Sequence, residues 1–105
     1  MVKGSMKNIQ DNARGFSVLE AGDNIQTAAM ILAPGEASGP YGNEHAESVQ
    51  VLFVHDGEVE AEVDGKKFTM RAGDSILVEK GLAHRFVNRA QRRAVTFNVY
   101  SPPAY

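Results

Sequence analysis

The sequence of 105 residues contains no cysteine. Disulfide bonds, thiolate metal sites and cysteine nucleophiles are therefore excluded, and a reducing compartment is permitted. No apolar run approaches the roughly 18 residues that a transmembrane helix needs, and no signal peptide is apparent. From these absences we expect a cytoplasmic protein with no membrane partner.

The chain also has little excess of charge of one sign. Its formal net charge is −2 and its pI is about 5.9, so binding to a phosphate backbone has no overall electrostatic support. The only basic cluster is "NRAQRR", residues 88–93, which we interpret as a charged hairpin tip, because a nucleic-acid footprint should extend along a whole face. We expect no nucleic-acid partner.

The residues that are present are sufficient for one folded domain with one core. Hydrophobic residues make up 43% and charged residues 23%, as in ordinary globular proteins. The opening "MVKGSMKN", residues 1–8, has a second methionine, Met6, directly after "GS". We interpret residues 1–8 as a tag remnant or disordered N-terminus and residues 9–105 as the single domain.

Helical periodicity is nearly absent, and short alternating segments between turn signals replace it. In "EVEAEVDG", Val59, Ala61 and Val63 are expected to face the interior while the alternate glutamates face water. Asp64-Gly65 is a strong hairpin signal. The eight predicted strands lie in GFSVLEAGDN, IQTAAMILAPGE, VQVLFVHDG, EVEAEVDG, KKFTMRAGD, SILVEKG, AHRFVN and AVTFNVY.

Eight short strands at this spacing are typical of a β-sandwich or barrel. "VQVLFV" and "SILV" are apolar on both faces, which a two-layered or closed structure explains, as does a strand covered by a second subunit. No stretch has the roughly 10–12 periodic residues of a helix. The sequence predicts an all-β fold, a small antiparallel barrel or jelly roll.

The segment "GDSILVEKGLAHRFVN", residues 73–88, resembles the second conserved motif of the cupin superfamily. That motif is Gly, five residues, Pro, one, Gly, two, His, three, Asn. Gly73, Gly81, His84 and Asn88 occupy its positions, and only the proline departs from it, since Glu79 stands there.

The segment "NEHAESVQ", residues 43–50, aligns with the first cupin motif, which is Gly, five, His, one, His, three or four, Glu, six, Gly. Aligned on Gly57, the motif places Gln50 at the glutamate, His45 at the second histidine and Asn43 at the first. The resemblance covers about residues 30–100 and implies a double-stranded β-helix (jelly-roll) cupin barrel.

The resemblance implies a divalent metal ion (zinc, nickel, manganese or iron) held inside the barrel by His45, Gln50, His84 and Asn43. Asn43 and His45 are two residues apart and share a face if they lie on one strand, whereas the odd spacing between His45 and Gln50 requires a turn or bulge at "AES". The family's carboxylate is missing, which should weaken affinity and leave a bound dication more Lewis-acidic. The alternative is that both histidines are satisfied interior residues.

A pocket beside this site would be lined by aromatic side chains. The predicted substrate-binding residues are Tyr41, Phe53, Phe86 and Phe97, with Met30 and Leu32 as further lining candidates and plain core packing as the alternative for each. The nearest candidates for a general base are Glu44, Glu47 and Tyr41. His55 is interpreted as an exposed hairpin residue without a role.

Two functions remain open on the sequence. One is a metal-dependent enzyme that acts on a small organic acid or sugar derivative by Lewis-acid chemistry. The other is a non-catalytic, metal-free module that binds a small ligand or serves as a dimeric scaffold. The resemblance also implies a homodimer, which the strands that are apolar on both faces favour.

Overall fold

The computed structural model describes residues 6–43 and 45–105. Residues 1–5, which hold most of the predicted tag remnant, lie outside the described residues, and so does Glu44, one of the predicted bases. No helix in the described part is long and apolar enough to cross a membrane. The division into residues 1–8 and residues 9–105 stays a prediction.

The described residues form eight strands and one short 3-10 turn, Ile9–Asp11. Seven strands lie within the predicted segments and the eighth, Ala94–Ser101, extends one residue beyond its segment, so the predicted strand content is confirmed. The strands are β1 (Gly15–Ala21), β2 (Gln26–Leu32), β3 (Val49–Asp56), β4 (Glu58–Val63), β5 (Lys66–Arg71), β6 (Ser75–Val78), β7 (His84–Val87) and β8 (Ala94–Ser101).

The strands form two antiparallel sheets. The larger has the order β1-β2-β8-β3-β6 and the smaller the order β5-β4-β7. Asp64-Gly65 connects β4 to β5 as the predicted hairpin, with both residues at positive φ. The chain is therefore all-β, and the predicted double-stranded β-helix is confirmed.

The core lies between the two sheets and is almost entirely aliphatic. On β4 the predicted alternation is confirmed, because Val59, Ala61 and Val63 are buried while the glutamates between them are partly exposed. Burying a Val, Leu or Phe side chain stabilises the fold by roughly 1.5–3 kcal/mol. The larger side chains of the core are Met30, Leu32, Leu52, Val54, Val59, Val63, Met70, Val78 and Phe86.

The outer face of the five-stranded sheet is apolar and only half covered. Residues of the N-terminal region, Ile9 and Leu19, pack on a small second cluster on this face: Ala29, Ile31 and Val95. The other half, on β3 and β6, has no such cover within the described residues. Val51, Phe53 and Leu77 are 38%, 37% and 53% exposed there. "VQVLFV" and "SILV" are thus apolar on both faces although only one face is buried within the chain.

The outer face of the three-stranded sheet is ionic instead. Its glutamates on β4 each pair with an arginine, so these side chains do not simply face water: Glu58 with Arg71 at 3.5 Å, Glu60 with Arg89 at 3.0 Å and Glu62 with Arg85 at 3.1 Å. Residues 88–93 were predicted as a hairpin tip, which is wrong, because β7 and β8 belong to different sheets and the segment crosses between them.

Candidate metal and ligand site

His84 begins β7 and is positioned by backbone contacts on both sides. His84 pairs with Val63 of β4, and the backbone N–H of His84 donates to the carbonyl of Gly42 at 2.9 Å. The Nδ1 atom of the ring lies 3.0 Å from the carbonyl oxygen of Leu82. Because a carbonyl oxygen can only accept, Nδ1 must carry the hydrogen, and Nε2 is left as the nitrogen that can bind a cation.

His45 lies in the connection between β2 and β3, in a turn rather than on a strand. The turn is closed by the N–H of Ser48, which donates to the carbonyl of His45 at 2.9 Å. The Ser48 hydroxyl donates to the carbonyl of Pro102 at 2.6 Å and ties the turn to the C-terminal segment. The turn that the odd spacing between His45 and Gln50 requires is therefore confirmed.

The two imidazoles meet inside the fold, although their residues lie 39 positions apart in the sequence. Their ring centroids are 4.5 Å apart and their planes are inclined by 43°. Both residues are buried. Tyr100 of β8 packs edge-on against His45 at 5.1 Å, and Phe86 lies 6.0 Å from His84.

Gln50 extends this group from the inner face of β3. Its Oε1 lies 2.7 Å from Nε2 of His45, while its Nε2 donates to Oδ1 of Asn98 at 2.9 Å and to the hydroxyl of Tyr100 at 3.3 Å. Sequence reasoning missed Asn98. The signal for it was the alternation of polar side chains in "AVTFNVY", an otherwise apolar strand in which Thr96, Asn98 and Tyr100 share the inward face.

The remaining predicted ligand, Asn43, is not placed with the other three. It is exposed in irregular backbone, so the expectation that it shares a strand face with His45 is wrong, because β3 begins only at Val49. The backbone before it contacts the strands through isolated bridges at residues 37 and 42 and through hydrogen bonds such as that from the N–H of Ser38 to the carbonyl of Phe86. Its role as a ligand stays a prediction.

The predicted substrate-binding residues are divided between the two sides of the sheet. Phe86 is buried and lines a cavity together with both imidazoles and Gln50. Phe53 and Phe97 point to the outer face, since Gln50 and Asn98 alternate with them on the inner face, and neither lines the cavity. The sequence shows which residues of β3 and β8 share a face, but it does not show which of the two faces points inward.

The predicted bases that the structure describes, Tyr41 and Glu47, do not line the cavity that contains the imidazoles. Tyr41 is 39% exposed, and its hydroxyl accepts a hydrogen bond from the N–H of Gly65 at 2.8 Å, in the β4–β5 hairpin. Glu47 is exposed in the turn after His45, and Glu44 is outside the described residues. His55 is exposed, as predicted, on β3.

The imidazoles and Gln50 form one end of a cavity of about 270 Å³. Apart from these three and the hydroxyl groups, its walls are aromatic or aliphatic, and none of the described lining residues is Asp, Glu, Lys or Arg. Tyr105 packs on Phe16 at 4.6 Å and on Tyr100 at 5.2 Å at one side of the cavity. The lining residues are Phe16, Met30, Ser38, His45, Gln50, His84, Phe86, Tyr100 and Tyr105.

The donor set can be tested against a divalent cation. Two ligand atoms at roughly 2.1 Å from one ion lie about 3 Å apart at a right angle and further apart in the tetrahedral geometry of zinc. The 2.7 Å between His45 Nε2 and Gln50 Oε1 is a hydrogen-bond distance and would have to lengthen to admit an ion. A cation there would take the place of the proton between these atoms. No cluster of three His, Cys, Asp or Glu side chains exists among the described residues. The set therefore fits a cation that accepts imidazole and neutral oxygen ligands.

Comparison with known proteins gives a family and a fold. The family model described as "Cupin domain" (Cupin_2) matches residues 28–100. No curated protein matches the sequence.

Solved structures share the fold at low sequence identity. An uncharacterized conserved protein with a double-stranded β-helix domain from Klebsiella pneumoniae has a TM-score of 0.83 at 18% identity, covering 98% of this chain and 95% of that one. KdgF from a Halomonas species has a TM-score of 0.76 at 18% identity, covering 84% and 77%. A predicted oxalate decarboxylase from Thermotoga maritima has a TM-score of 0.74 at 20% identity, covering 84% and 79%. At these identities the likeness concerns the fold alone.

Proposed function

Because the chain belongs to the cupin domain family, we propose that it binds a divalent metal ion through His45, His84 and Gln50 and holds a small organic acid or sugar derivative beside the ion. One observation carries this proposal. The ring centroids of two imidazoles from remote segments lie 4.5 Å apart, next to a buried amide oxygen in the wall of a cavity. Lewis acidity toward a carboxylate or carbonyl oxygen is the chemistry that such an ion supplies when bound.

The chain's own residues orient the proposed ligands before any ion binds. The carbonyl of Leu82 holds the His84 ring with Nε2 directed away from it. Asn98 and Tyr100 hold the Gln50 amide from its nitrogen side, so that its oxygen is directed at His45. Such hydrogen bonds behind the ligand atoms fix ring and amide orientation and typically govern metal affinity.

The cavity supports a small ligand with an anionic group. Its volume of about 270 Å³ is below the usual range for drug-sized ligands. Phe16, Phe86 and Tyr105 offer apolar surface for the carbon skeleton. Since the described lining has no Lys or Arg side chain, the proposed cation is what would attract a carboxylate. One similar structure is named as a predicted oxalate decarboxylase, and oxalate is a small organic acid.

The proposal is tested by elemental analysis of protein purified without chelator. We expect about one equivalent of metal in the wild type and almost none in the double variant His45→Ala with His84→Ala, because both imidazoles are removed. His55→Ala is the matched control, since this histidine is exposed on the same chain and lines no part of the cavity. It should retain the metal.

A specific observation favours a second candidate, a metal-free cupin that binds a small ligand. His45 and Gln50 satisfy each other without an ion, and no carboxylate joins them among the described lining residues. This candidate replaces the first if the wild type is metal-free and its Tm does not respond to zinc, nickel, manganese or iron. No catalytic residue is assigned in either case, because the predicted bases Tyr41 and Glu47 do not line the cavity.

A further inference from the structure

A chain of hydrogen bonds runs from the proposed site across the five-stranded sheet and ends at a backbone carbonyl. The Thr96 hydroxyl lies 2.8 Å from the carbonyl oxygen of Met30. A carbonyl oxygen has no hydrogen to give, so the single hydroxyl hydrogen of Thr96 must point toward Met30. The threonine oxygen can then only accept from its other neighbour.

The orientation of the Thr96 hydroxyl determines the donor and the acceptor in each of the remaining hydrogen bonds between Thr96 and His45. The Thr96 oxygen accepts from Nδ2 of Asn98 at 3.1 Å, which turns Oδ1 of Asn98 toward Gln50. That oxygen accepts from Nε2 of Gln50 at 2.9 Å, which turns Oε1 of Gln50 toward the histidine. Nε2 of His45, 2.7 Å away, must therefore carry a hydrogen and donate it.

Reversal of the chain is opposed because its members are buried. Thr96 and Asn98 are fully buried, and Gln50 is nearly so. Turning over one amide alone would set two donors or two acceptors against each other at hydrogen-bond distance among buried side chains. Turning over both amides would leave the Asn98 oxygen against the Thr96 oxygen, whose hydrogen is already committed. Buried polar groups left unpaired in this way are strongly disfavoured.

We propose that Thr96 and Asn98 are positioning residues that hold the Gln50 amide with its oxygen, not its NH₂ group, directed at His45. Where it concerns metal affinity, this inference rests on the proposed function, because an NH₂ group turned toward a cation repels it. Where it concerns the metal-free protein, it stands alone, since the same chain of bonds assigns the Nε2–H form to His45.

The test is nitrogen NMR of the histidine side chains in metal-free protein, in mildly alkaline buffer, with Thr96→Val and Thr96→Ser as paired variants. In the wild type, His45 should show the Nε2–H form and His84 the Nδ1–H form, because their fixed partners differ. Exposed His55 provides the spectrum of a mixture. Thr96→Ser keeps the hydroxyl and should preserve the His45 form, whereas Thr96→Val leaves Asn98 without its acceptor and should give a mixture.

Zinc affinity by calorimetry is the second readout. Thr96→Val should bind zinc on the order of 10-fold more weakly than the wild type, and Thr96→Ser should stay close to it. A His45 ring in the Nδ1–H form in the wild type overturns the inference, even if Thr96→Val does not fold. It is also overturned if both variants match the wild type in tautomer and affinity. Should the wild type bind no zinc, the proposed function fails, and the tautomers still decide whether the positioning chain exists.

Discussion

Phe53 and Phe97 are direct partners across β3 and β8, on the face of the five-stranded sheet that points away from the core. Val51 and Leu77 are exposed beside them, whereas the outer face of the three-stranded sheet carries arginine–glutamate pairs. Exposed apolar patches of this kind are common interaction sites. The predicted homodimer stays a prediction, and we expect this face to be the one that a second copy covers.

The double variant Phe53→Glu with Leu77→Glu should convert a dimer into monomers. Two carboxylates on each copy would be desolvated at such an interface without partners, so the dimer dissociation constant should rise by roughly 100-fold or more. Sedimentation equilibrium measures this. Lys67→Glu, on exposed β5 of the other sheet, is the charge-changing control and should leave the assembly unaltered. A wild type that is monomeric at all accessible concentrations contradicts the prediction.

Gly57→Ala should destabilise the fold strongly. Gly57 has a φ of 85°, and an added Cβ would lie 2.6 Å from the carbonyl oxygen of Arg93, a backbone atom that cannot move aside cheaply. Gly65→Ala is the matched control, with a φ of 79° and open space around the added atom. The control should cost about 1–2 kcal/mol of unfolding free energy from conformation alone, and Gly57→Ala clearly more, measured by urea denaturation. Equal losses would show that the close approach is unimportant.

The ion pair between Asp56 and Arg92 should produce a small pH dependence of stability. The hydrogen bond from Arg92 and then its charge lower the pKa of Asp56 below the ordinary value of 3.8. A lowered folded-state pKa means that the stabilisation is present above 3.8 and is lost as pH falls through the folded-state value. In Arg92→Gln the carboxyl pKa should return toward 3.8, as followed by carbon NMR. Arg93→Gln, which removes a neighbouring arginine that donates to Ala13 instead, should change it much less.

Gln50→Glu should make the metal-free protein less stable and bind zinc more tightly. The new carboxylate is buried, and it faces the Asn98 oxygen that now accepts from Gln50. The free energy of unfolding should fall by about 2 kcal/mol, and zinc should recover part of it, because a cation is then paired with a negative ligand. Thermal melts with and without zinc measure both effects. Gln91→Glu, in an exposed loop, should show neither; a Gln50→Glu variant indifferent to zinc argues against the metal site.

The strands were predictable because their signals are local. Alternation on β4, the hairpin at Asp64-Gly65 and the turn glycines each act within a few residues, and the spacing of Gly73, Gly81, His84 and Asn88 placed one histidine at a strand start. Asn88 itself proves to be structural. Its side chain donates to the carbonyls of Leu32 and Arg92 and accepts from a backbone N–H, holding the crossing between the sheets.

The features of the site that were not predicted depend on pairings between remote segments. Parity shows that Phe53 and Phe97 face opposite to Gln50 and Asn98, but an apolar strand does not reveal which face the second sheet covers. Asn43 was misplaced because strand geometry was extended into a loop. The role of Asn98 depends on the pairing of β8 with β3, which brings its side chain beside that of Gln50.

One of the two imidazoles belongs to the sheet and the other does not. His84 pairs in register on β7, whereas His45 lies in a connection that is held by hydrogen bonds at Gly42 and at Ser48. Insertions and deletions in such a connection leave strand pairing and the core untouched. The segment that carries His45 can therefore change in length or sequence during evolution without changes in the strands of the barrel. The ligands of this pocket, and with them its chemistry, can change while the fold is retained.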